Sequence, residues 1–124
     1  MASFLTKIKM KQNDTTLIQI TQNGMGHGDE TLGLKLIGNY LKLIVQENSL
    51  PKFIVFYNSG VQFICEGSSV IDILREIENK GVKLIACKTC LDYYQLSEKV
   101  EVGHAGTMVD IIALQNLAGK VINL

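Results

Sequence analysis

Short apolar runs alternate along the chain with longer segments in which apolar residues recur every three or four positions. An apolar or β-branched run of about 4 to 8 residues is typical of a buried strand, and the longer repeat is typical of an amphipathic helix. The predicted strands are Thr16–Thr21, Phe53–Tyr57, Val82–Ala86, a weaker Lys99–Val102 and Lys120–Asn123. Helices are predicted over residues 30–47, 69–80 and 107–117, with a short helical segment over 91–96. Because strands and helices alternate, we predict an α/β domain with a mostly parallel sheet and helices on both faces.

The first predicted helix has an unusually wide apolar surface. Its large apolar residues are Leu34, Ile37, Leu41 and Ile44, with Leu36, Tyr40 and Leu43 beside them. So broad a surface predicts that this helix is buried on two sides. The two later helices begin with capping-box-like spacing, at Ser69 and at Thr107, each followed three residues later by an aspartate.

The composition fits a single folded domain. The 124 residues are 47% apolar, contain one proline, and include no Gly/Ser-rich or Pro-rich linker. We expect the domain to span residues 16–124, and residues 1–15 to form either an edge strand or a tail, so that the sheet has five or six strands. The 12 basic and 12 acidic residues balance, which argues against binding of nucleic acid or anionic membrane through a broad basic surface.

No segment predicts export or membrane insertion. Residues 1–11 lack an apolar core of signal-peptide length, and no stretch offers the roughly 18 uncharged apolar residues of a membrane span. We therefore expect a cytoplasmic protein that does not bind membranes. Its three cysteines cannot all pair within one chain, and in a reducing compartment we expect them to be thiols.

The motif Cys87-Lys88-Thr89-Cys90 carries the clearest chemistry in the sequence. It directly follows a predicted strand and precedes a segment that can turn helical. Backbone N–H groups at the start of a helix, together with Lys88, favour the thiolate form of a nearby cysteine. We expect Cys87 to be the nucleophile, and Cys90, about one helical turn away, to resolve a persulfide or close a disulfide.

The loops that follow the predicted strands are expected to meet at one edge of the sheet, where open parallel sheets bind their ligands. The candidate pocket-lining residues in these loops are His27, Gly28, Asp29, Asn58, Ser59, Gly60 and His104. The glycine-rich loop lacks the full Gly-x-Gly-x-x-Gly spacing and the Lys-Ser/Thr of nucleotide-binding loops. We expect no cofactor and no metal, and we expect the Asp29 carboxylate to cap the first helix.

Other interpretations of the cysteines stay open. Cys65 lies in a half-apolar run and is expected to pack as a small buried side chain. Cys87 and Cys90 could have a packing role too, or form a dithiol redox switch. A thioredoxin-type enzyme fits poorly, because the chain has no tryptophan and only one proline. A zinc site would need Cys65, His27 or His104 to complete it, and no second close pair of ligands is present.

Four segments, in this order, resemble the DsrE/DsrF-like sulfur-relay family. They are Gly28–Gly33 at the start of the first helix, Phe56–Val61, Glu66–Ser69 and Cys87–Tyr94. The Cys-x-Thr-Cys-Leu-Asp stretch is the most specific of them. Within the family it is most similar to the carboxyl-terminal domain of YedF-type proteins, which are described as sulfurtransferase-like and linked to selenium metabolism. The resemblance extends over about residues 16–124, which is nearly the whole domain.

The resemblance implies a DsrE-like, three-layer fold of the flavodoxin or Rossmann type that often assembles into homo-oligomers. It also implies relay of sulfur or selenium, with a persulfide on the cysteine that matches Cys87. The implied partners are sulfur donor and acceptor proteins, a carrier-type protein among them. YedF-type proteins usually have an amino-terminal carrier-like domain with a Cys-Pro motif, and no proline adjoins a cysteine in these 124 residues. A non-catalytic oligomeric subunit or binding module is therefore the alternative function, and His104 lies outside the family pattern.

Overall fold

Five strands form one parallel sheet in the computed structural model, which describes residues 15–124. The strands are β1 (Thr16–Ile20), β2 (Phe53–Phe56), β3 (Lys83–Cys87), β4 (His104–Gly106) and β5 (Lys120–Asn123). They lie in the order β4-β3-β2-β1-β5, and every neighbouring pair is parallel. The predicted α/β class with a parallel sheet is confirmed. The edge strand or tail predicted for residues 1–15 falls outside the described residues, apart from Thr15.

Helices cover both faces of this sheet, as predicted. Between residues 15 and 124 they are α1 (Glu30–Gln46), α2 (Ile71–Asn79), α3 (Lys88–Tyr93), α4 (Met108–Leu117) and the 3-10 helix Asn58–Ile64. Buried side chains of α1 and α2 belong to one apolar cluster, and Ile111, the buried residue of α4, belongs to another. In the described part of the chain, no helix combines the length and the apolar character that crossing a bilayer requires.

Strand side chains alternate between the two faces of the sheet and so divide the core in two. In β3, Leu84 and Ala86 belong to the larger cluster, which includes the buried residues of α1 and α2. Cys87 belongs to the smaller cluster, together with Leu17 and Ile111. One step along β3, from Ala86 to Cys87, therefore changes the helix layer that buries the side chain.

Helix α1 is buried on one side, not on the two sides that its apolar width predicts. Ile37, Leu41 and Ile44 face the sheet and are buried. The remaining leucines of the helix lie at the surface, and they are Leu32, Leu34, Leu36 and Leu43. The prediction was wrong because α1 belongs to an outer layer, so only the stripe toward the sheet has a neighbour within the chain.

The fourth strand lies later in the chain than the weak strand predicted at Lys99–Val102. That segment instead contacts the residue after the 3-10 helix, where Cys65 and Val100 form an isolated antiparallel bridge. Gly103 then turns the chain with a φ of +76°, and a Cβ there would lie 2.9 Å from the Leu84 carbonyl oxygen. The turn at Gly103 places residues 104–106 beside the edge of β3, where they pair with it and form β4.

The two predicted capping boxes have different outcomes. At α4, the Asp110 N–H donates to the Thr107 hydroxyl at 3.3 Å and the Thr107 N–H donates to the Asp110 carboxylate at 2.8 Å, which confirms the box. At α2 the prediction is wrong, because the N-cap residue is Val70, with no side-chain cap. The Val70 N–H donates instead to the Ser68 hydroxyl at 3.2 Å, one residue before the predicted Ser69.

Candidate functional site

The 3-10 helix after β2 is held tightly against β1. The Tyr57 N–H donates to the Ile20 carbonyl oxygen at 3.1 Å. Gly60 approaches the same strand so closely that a Cβ at this position would lie 2.2 Å from the Ile20 oxygen. Only glycine fits this space without a shift of the backbone. The 3-10 helix begins directly after β2, and β2 lies between β1 and β3. The contact with β1 therefore fixes the start of the 3-10 helix near the carboxyl end of β3.

Cys87 is both the last residue of β3 and the N-cap residue of α3. Its side chain is buried, with 1% of its surface exposed, in the small apolar cluster that also contains Val55 and Ile111. The helix that follows has six residues, so the helix dipole that the sequence predicts for this thiol comes from a short helix. Solvent scarcely reaches the Cys87 sulfur in this conformation.

Cys90 lies in α3, three residues after Cys87, and is partly exposed. The backbone N–H of Asn58 donates a hydrogen bond to its sulfur at 3.1 Å. Cys90 also packs against the small apolar cluster that contains Cys87. Burial raises the pKa of the Cys90 thiol, the Asn58 N–H lowers it, and Cys87 raises it, with a net upward shift. The two cysteines thus form one contact group whose members differ in access to solvent.

Asn58 has a left-handed backbone, with a φ of 53°. This region is uncommon for residues other than glycine, although asparagine occupies it more often than most. The hydroxyl of Tyr94 donates to the Asn58 side-chain oxygen at 3.2 Å. Tyr94 follows Cys90 by four residues, so both lie on the same side of a helical turn. Asn58 therefore contacts this segment twice, through its N–H to Cys90 and through its amide to Tyr94.

The glycine-rich loop after β1 forms a separate cleft of about 240 Å³. Four of the predicted pocket residues line it, and they are His27, Gly28, Asp29 and Ser59. The Asp29 carboxylate accepts the Leu32 N–H at 2.8 Å and caps α1, as predicted. The Asn23 N–H donates to the Ser59 hydroxyl at 3.0 Å, which ties this loop to the 3-10 helix. The lining of this cleft does not include the thiol pair.

His104 lies in a strand and not in the rim loop where the sequence predicts it. It is the first residue of β4, an edge strand, and pairs in register with Ile85. Ile85 precedes Cys87 by two residues, so His104 lies roughly 7 Å back from the end of the sheet along the strand. The structure therefore does not bring His104 to the rim together with the thiols.

Cys65 has the buried position that the sequence predicts for it. Its thiol donates to the Val61 carbonyl oxygen at 3.3 Å, and burial raises its pKa. Among residues 15–124, no three His, Cys, Asp or Glu side chains lie together in a way that could hold a metal ion. The further ligands that a zinc site would need beside Cys87 and Cys90 are thus not assembled in the part of the chain that the structure describes.

Two contacts of the site were not predicted from the sequence. The hydrogen bond from Asn58 to Cys90 joins residues that are 32 positions apart, and it depends on strand order, which no local pattern encodes. The link from Tyr94 to Asn58 has one local signal. The four-residue spacing between Cys90 and Tyr94 indicates that both side chains face the same neighbour.

A family model described as the DsrE/DsrF-like family matches residues 16–124. Among solved structures, the protein of unknown function MTH1491 from Methanobacterium thermoautotrophicum is 21% identical, with a TM-score of 0.67 over 90% of this chain and 100% of that one. The ychN protein from E. coli is 22% identical, with a TM-score of 0.66 over 90% and 99% of the two chains. BT1422 from Bacteroides thetaiotaomicron, a conserved protein of unknown function, is 10% identical, with a TM-score of 0.64 over 89% and 95%. At these identities the likeness concerns the fold alone. No curated protein matches the chain.

Proposed function

Because the chain belongs to the DsrE/DsrF-like family, we propose that it is a sulfur relay protein that carries sulfur as a persulfide on the Cys87–Cys90 pair. One observation carries the proposal. The two thiols lie together at the carboxyl end of β3, where Cys90 packs against the cluster that contains Cys87 and accepts a hydrogen bond from the Asn58 N–H. A sulfur carrier needs a thiol that a donor can reach and that can react as a thiolate, and Cys90 is partly exposed.

The proposed relay consists of two exchange steps. In the first, a thiolate of the pair attacks the outer sulfur of a donor persulfide, and the inner sulfur of the donor leaves as a thiolate. One S–S bond forms while another breaks, and the proton stays on the transferred sulfur. In the second step, an acceptor thiolate attacks this outer sulfur and the cysteine thiolate leaves. Sulfur moves without a net oxidation or reduction, so neither step needs a further reagent.

The assignment of the persulfide to Cys87 stays a prediction. That side chain is buried, so a donor can reach it only after the surrounding side chains move. Cys90 is accessible without such a movement. Single substitutions of the two cysteines separate their roles.

Intact mass spectrometry tests the relay. Wild-type protein incubated with a persulfide donor is expected to gain whole sulfur atoms, which a thiol reductant removes. The Cys87→Ser/Cys90→Ser double variant should gain none. Cys65→Ala is the matched control and should load like wild type, because Cys65 is buried and hydrogen bonds to Val61. The relay is wrong if wild type gains no sulfur, or if the double variant gains as much as wild type.

The Cys-x-Thr-Cys-Leu-Asp stretch supports a finer proposal within the family. We propose that the chain is related to the carboxyl-terminal domain of YedF-type proteins, and that selenium is a second cargo. The partners of this chain would be a donor protein and an acceptor protein, a carrier-type protein among them. We propose that they meet in the cytoplasm, where thiols stay reduced. Parallel loading with sulfur and selenium donors, read by mass, tests the cargo. Uptake of sulfur alone contradicts the selenium role.

We also propose that the chain forms a homo-oligomer. A role as a non-catalytic subunit of such an assembly is the alternative to the sulfur relay. The supporting observation is a set of exposed large apolar side chains on α4 and β5, namely Met108, Val109, Ile112, Leu117 and Val121. Exposed apolar surface of this kind often marks a protein interface. Light scattering at micromolar concentration should give a multiple of the monomer mass, and Leu117→Glu should lower it. A monomeric wild type contradicts this proposal. Assembly without any sulfur uptake favours the non-catalytic subunit.

A dithiol redox switch is a second candidate, because Cys90 packs against the apolar cluster that contains Cys87. A disulfide reagent would accept two electrons from the pair, and Cys87 and Cys90 would lose two protons as they join. If wild type forms this disulfide readily but gains no sulfur from a persulfide donor, the switch replaces the relay as the best-supported function.

A further inference from the structure

We propose that Cys90, and not Cys87, is the thiol that receives sulfur, that the Asn58 N–H stabilises its anionic form, and that Tyr94 holds Asn58 in place. The nature of the reactant rests on the proposed sulfur relay, whereas the arrangement of the three residues does not. Asn58 touches the reacting sulfur. Tyr94 is a positioning residue, because it acts through Asn58.

The first step of the inference is the unequal access to the two sulfurs. Cys87 is 1% exposed and is packed among Leu17, Phe53 and other members of the small cluster. Cys90 lies at the border of both apolar clusters and is only partly buried. Because thiol exchange depends on access to the attacking sulfur as well as on its charge, the partly open thiol reacts first.

The second step is the hydrogen bond on the Cys90 sulfur. The Asn58 nitrogen lies 3.1 Å from this atom. A hydrogen bond to an ion is stronger than one to the neutral form, so this N–H favours the thiolate over the thiol. The cysteine sulfur is negative both when it attacks and when it later leaves, and the same N–H therefore assists the uptake and the release of sulfur.

The third step is the way in which Asn58 is held. Its left-handed backbone, with a φ of 53°, is a conformation that persists when surrounding contacts impose it, and such residues concentrate at functional sites. The Tyr94 hydroxyl holds the Asn58 side chain at 3.2 Å. On the other side, Gly60 packs against the backbone of Ile20. The N–H is thus fixed from two directions.

The surroundings of Cys90 contain few groups that could account for its titration. The elements packed against α3 are β3, β4 and the 3-10 helix, and their titratable residues are Lys83, Cys87 and His104. Of these, Cys87 acts on Cys90 and raises its pKa. On α3 itself, Lys88 and Asp92 pair with each other at 3.4 Å. The Asn58 N–H opposes the effects of burial and of Cys87.

Peptide mapping tests which thiol receives sulfur. Trypsin cleaves after lysine and arginine, so Cys65, Cys87 and Cys90 fall into three different peptides, over residues 53–75, 84–88 and 89–99. After loading with a persulfide donor and trapping with iodoacetamide, the added sulfur is expected on peptide 89–99. Without a donor, iodoacetamide is expected to modify Cys90 before Cys87.

Two tyrosine variants test the positioning. Tyr94→Phe removes only a hydroxyl, and Tyr93→Phe is the matched control, because Tyr93 is 81% exposed and contacts the Tyr94 ring edge-on. Tyr94→Phe should slow Cys90 alkylation near neutral pH about 2- to 10-fold and move the midpoint of its pH profile upward. Tyr93→Phe should change neither. Asn58→Gly keeps the N–H and tolerates a positive φ, so it should match Tyr94→Phe, and the double variant should show little further loss.

Sulfur found first on Cys87, or identical pH profiles for Tyr94→Phe and Tyr93→Phe, overturns the inference. Failure of the relay looks different. A wild type that gains no sulfur refutes the relay and with it the sulfur-receiving role of Cys90, whereas the alkylation profiles still decide whether Asn58 and Tyr94 tune this thiol.

Discussion

Replacing Gly60 with alanine should destabilise the protein and disturb the thiol pair at the same time. An added Cβ would lie 2.2 Å from the Ile20 carbonyl oxygen and 2.8 Å from its carbon. Both atoms are backbone atoms of β1, buried in the sheet, so the 3-10 helix would have to move by about 0.8 Å to reach even 3.0 Å. Overpacking of this kind costs about 1 to 3 kcal/mol, and the movement would draw the Asn58 N–H away from Cys90.

Gly38→Ala is the matched control, because Gly38 lies inside α1 and an added Cβ would meet no atom within 4 Å. Alanine is the better helix former, so this variant should gain about 0.5 to 1 kcal/mol. Urea unfolding measures both effects, and Cys90 alkylation measures the displacement of Asn58. Gly60→Ala should unfold at lower urea and react more slowly at Cys90. Equal stability of Gly60→Ala and wild type would refute the steric argument.

Three further outcomes are expected. Thr107→Ala should lower the unfolding free energy by about 1 kcal/mol through loss of the confirmed cap on α4, and an unchanged urea midpoint would contradict it. Ile111→Ala should cost about 2 to 5 kcal/mol and speed Cys87 alkylation, since Ile111 is buried in the same cluster. Asn116→Ala, at an exposed position of the same helix, is the control and should do neither. Burial raises the pKa of the Cys90 thiol above its ordinary value of 9.0. Because the thiolate is the form that is alkylated, the rate of Cys90 alkylation should still increase above pH 9.0. A rate that reaches its plateau below that pH contradicts the upward shift.

The strands and helices with a clear local pattern could be predicted from the sequence. The closing strand Lys120–Asn123 has the predicted bounds, and the cap at Thr107 is formed as predicted. The strand β4 could not be predicted, because His-Ala-Gly is neither an apolar nor a β-branched run. It is a strand because Gly103 turns the chain onto the free edge of β3. The N-cap residue of α2 is Val70, one residue after the predicted Ser69, and the spacing of Ser69 and Asp72 gives no sign that this helix lacks a side-chain cap.

The position of the thiol pair could be predicted, because Cys-x-x-Cys directly follows a run of strand-forming residues, and Cys87 does end β3. The exposure of its two sulfurs could not be predicted. Alternation along a strand shows that Cys87 and Ala86 point to opposite faces. It does not show which of the faces carries a helix over the end of β3. The contact with Asn58 likewise requires that β2 lies beside β3, which is information about strand order.

Strand order also explains why Cys87 is the buried thiol. From β1 to β4 each new strand is added on the same side of the last, and β5 then returns to the far edge beside β1. Right-handed connections place helices on one face while strands are added in one direction and on the opposite face when the direction reverses. Helix α4 lies in the reversed connection and therefore covers the face onto which Cys87 points. Cys90, three residues later in α3, lies after the end of β3 and is only partly buried. The order that we propose for the two thiols, with Cys90 before Cys87, is thus a consequence of the topology and not of the Cys-x-x-Cys motif.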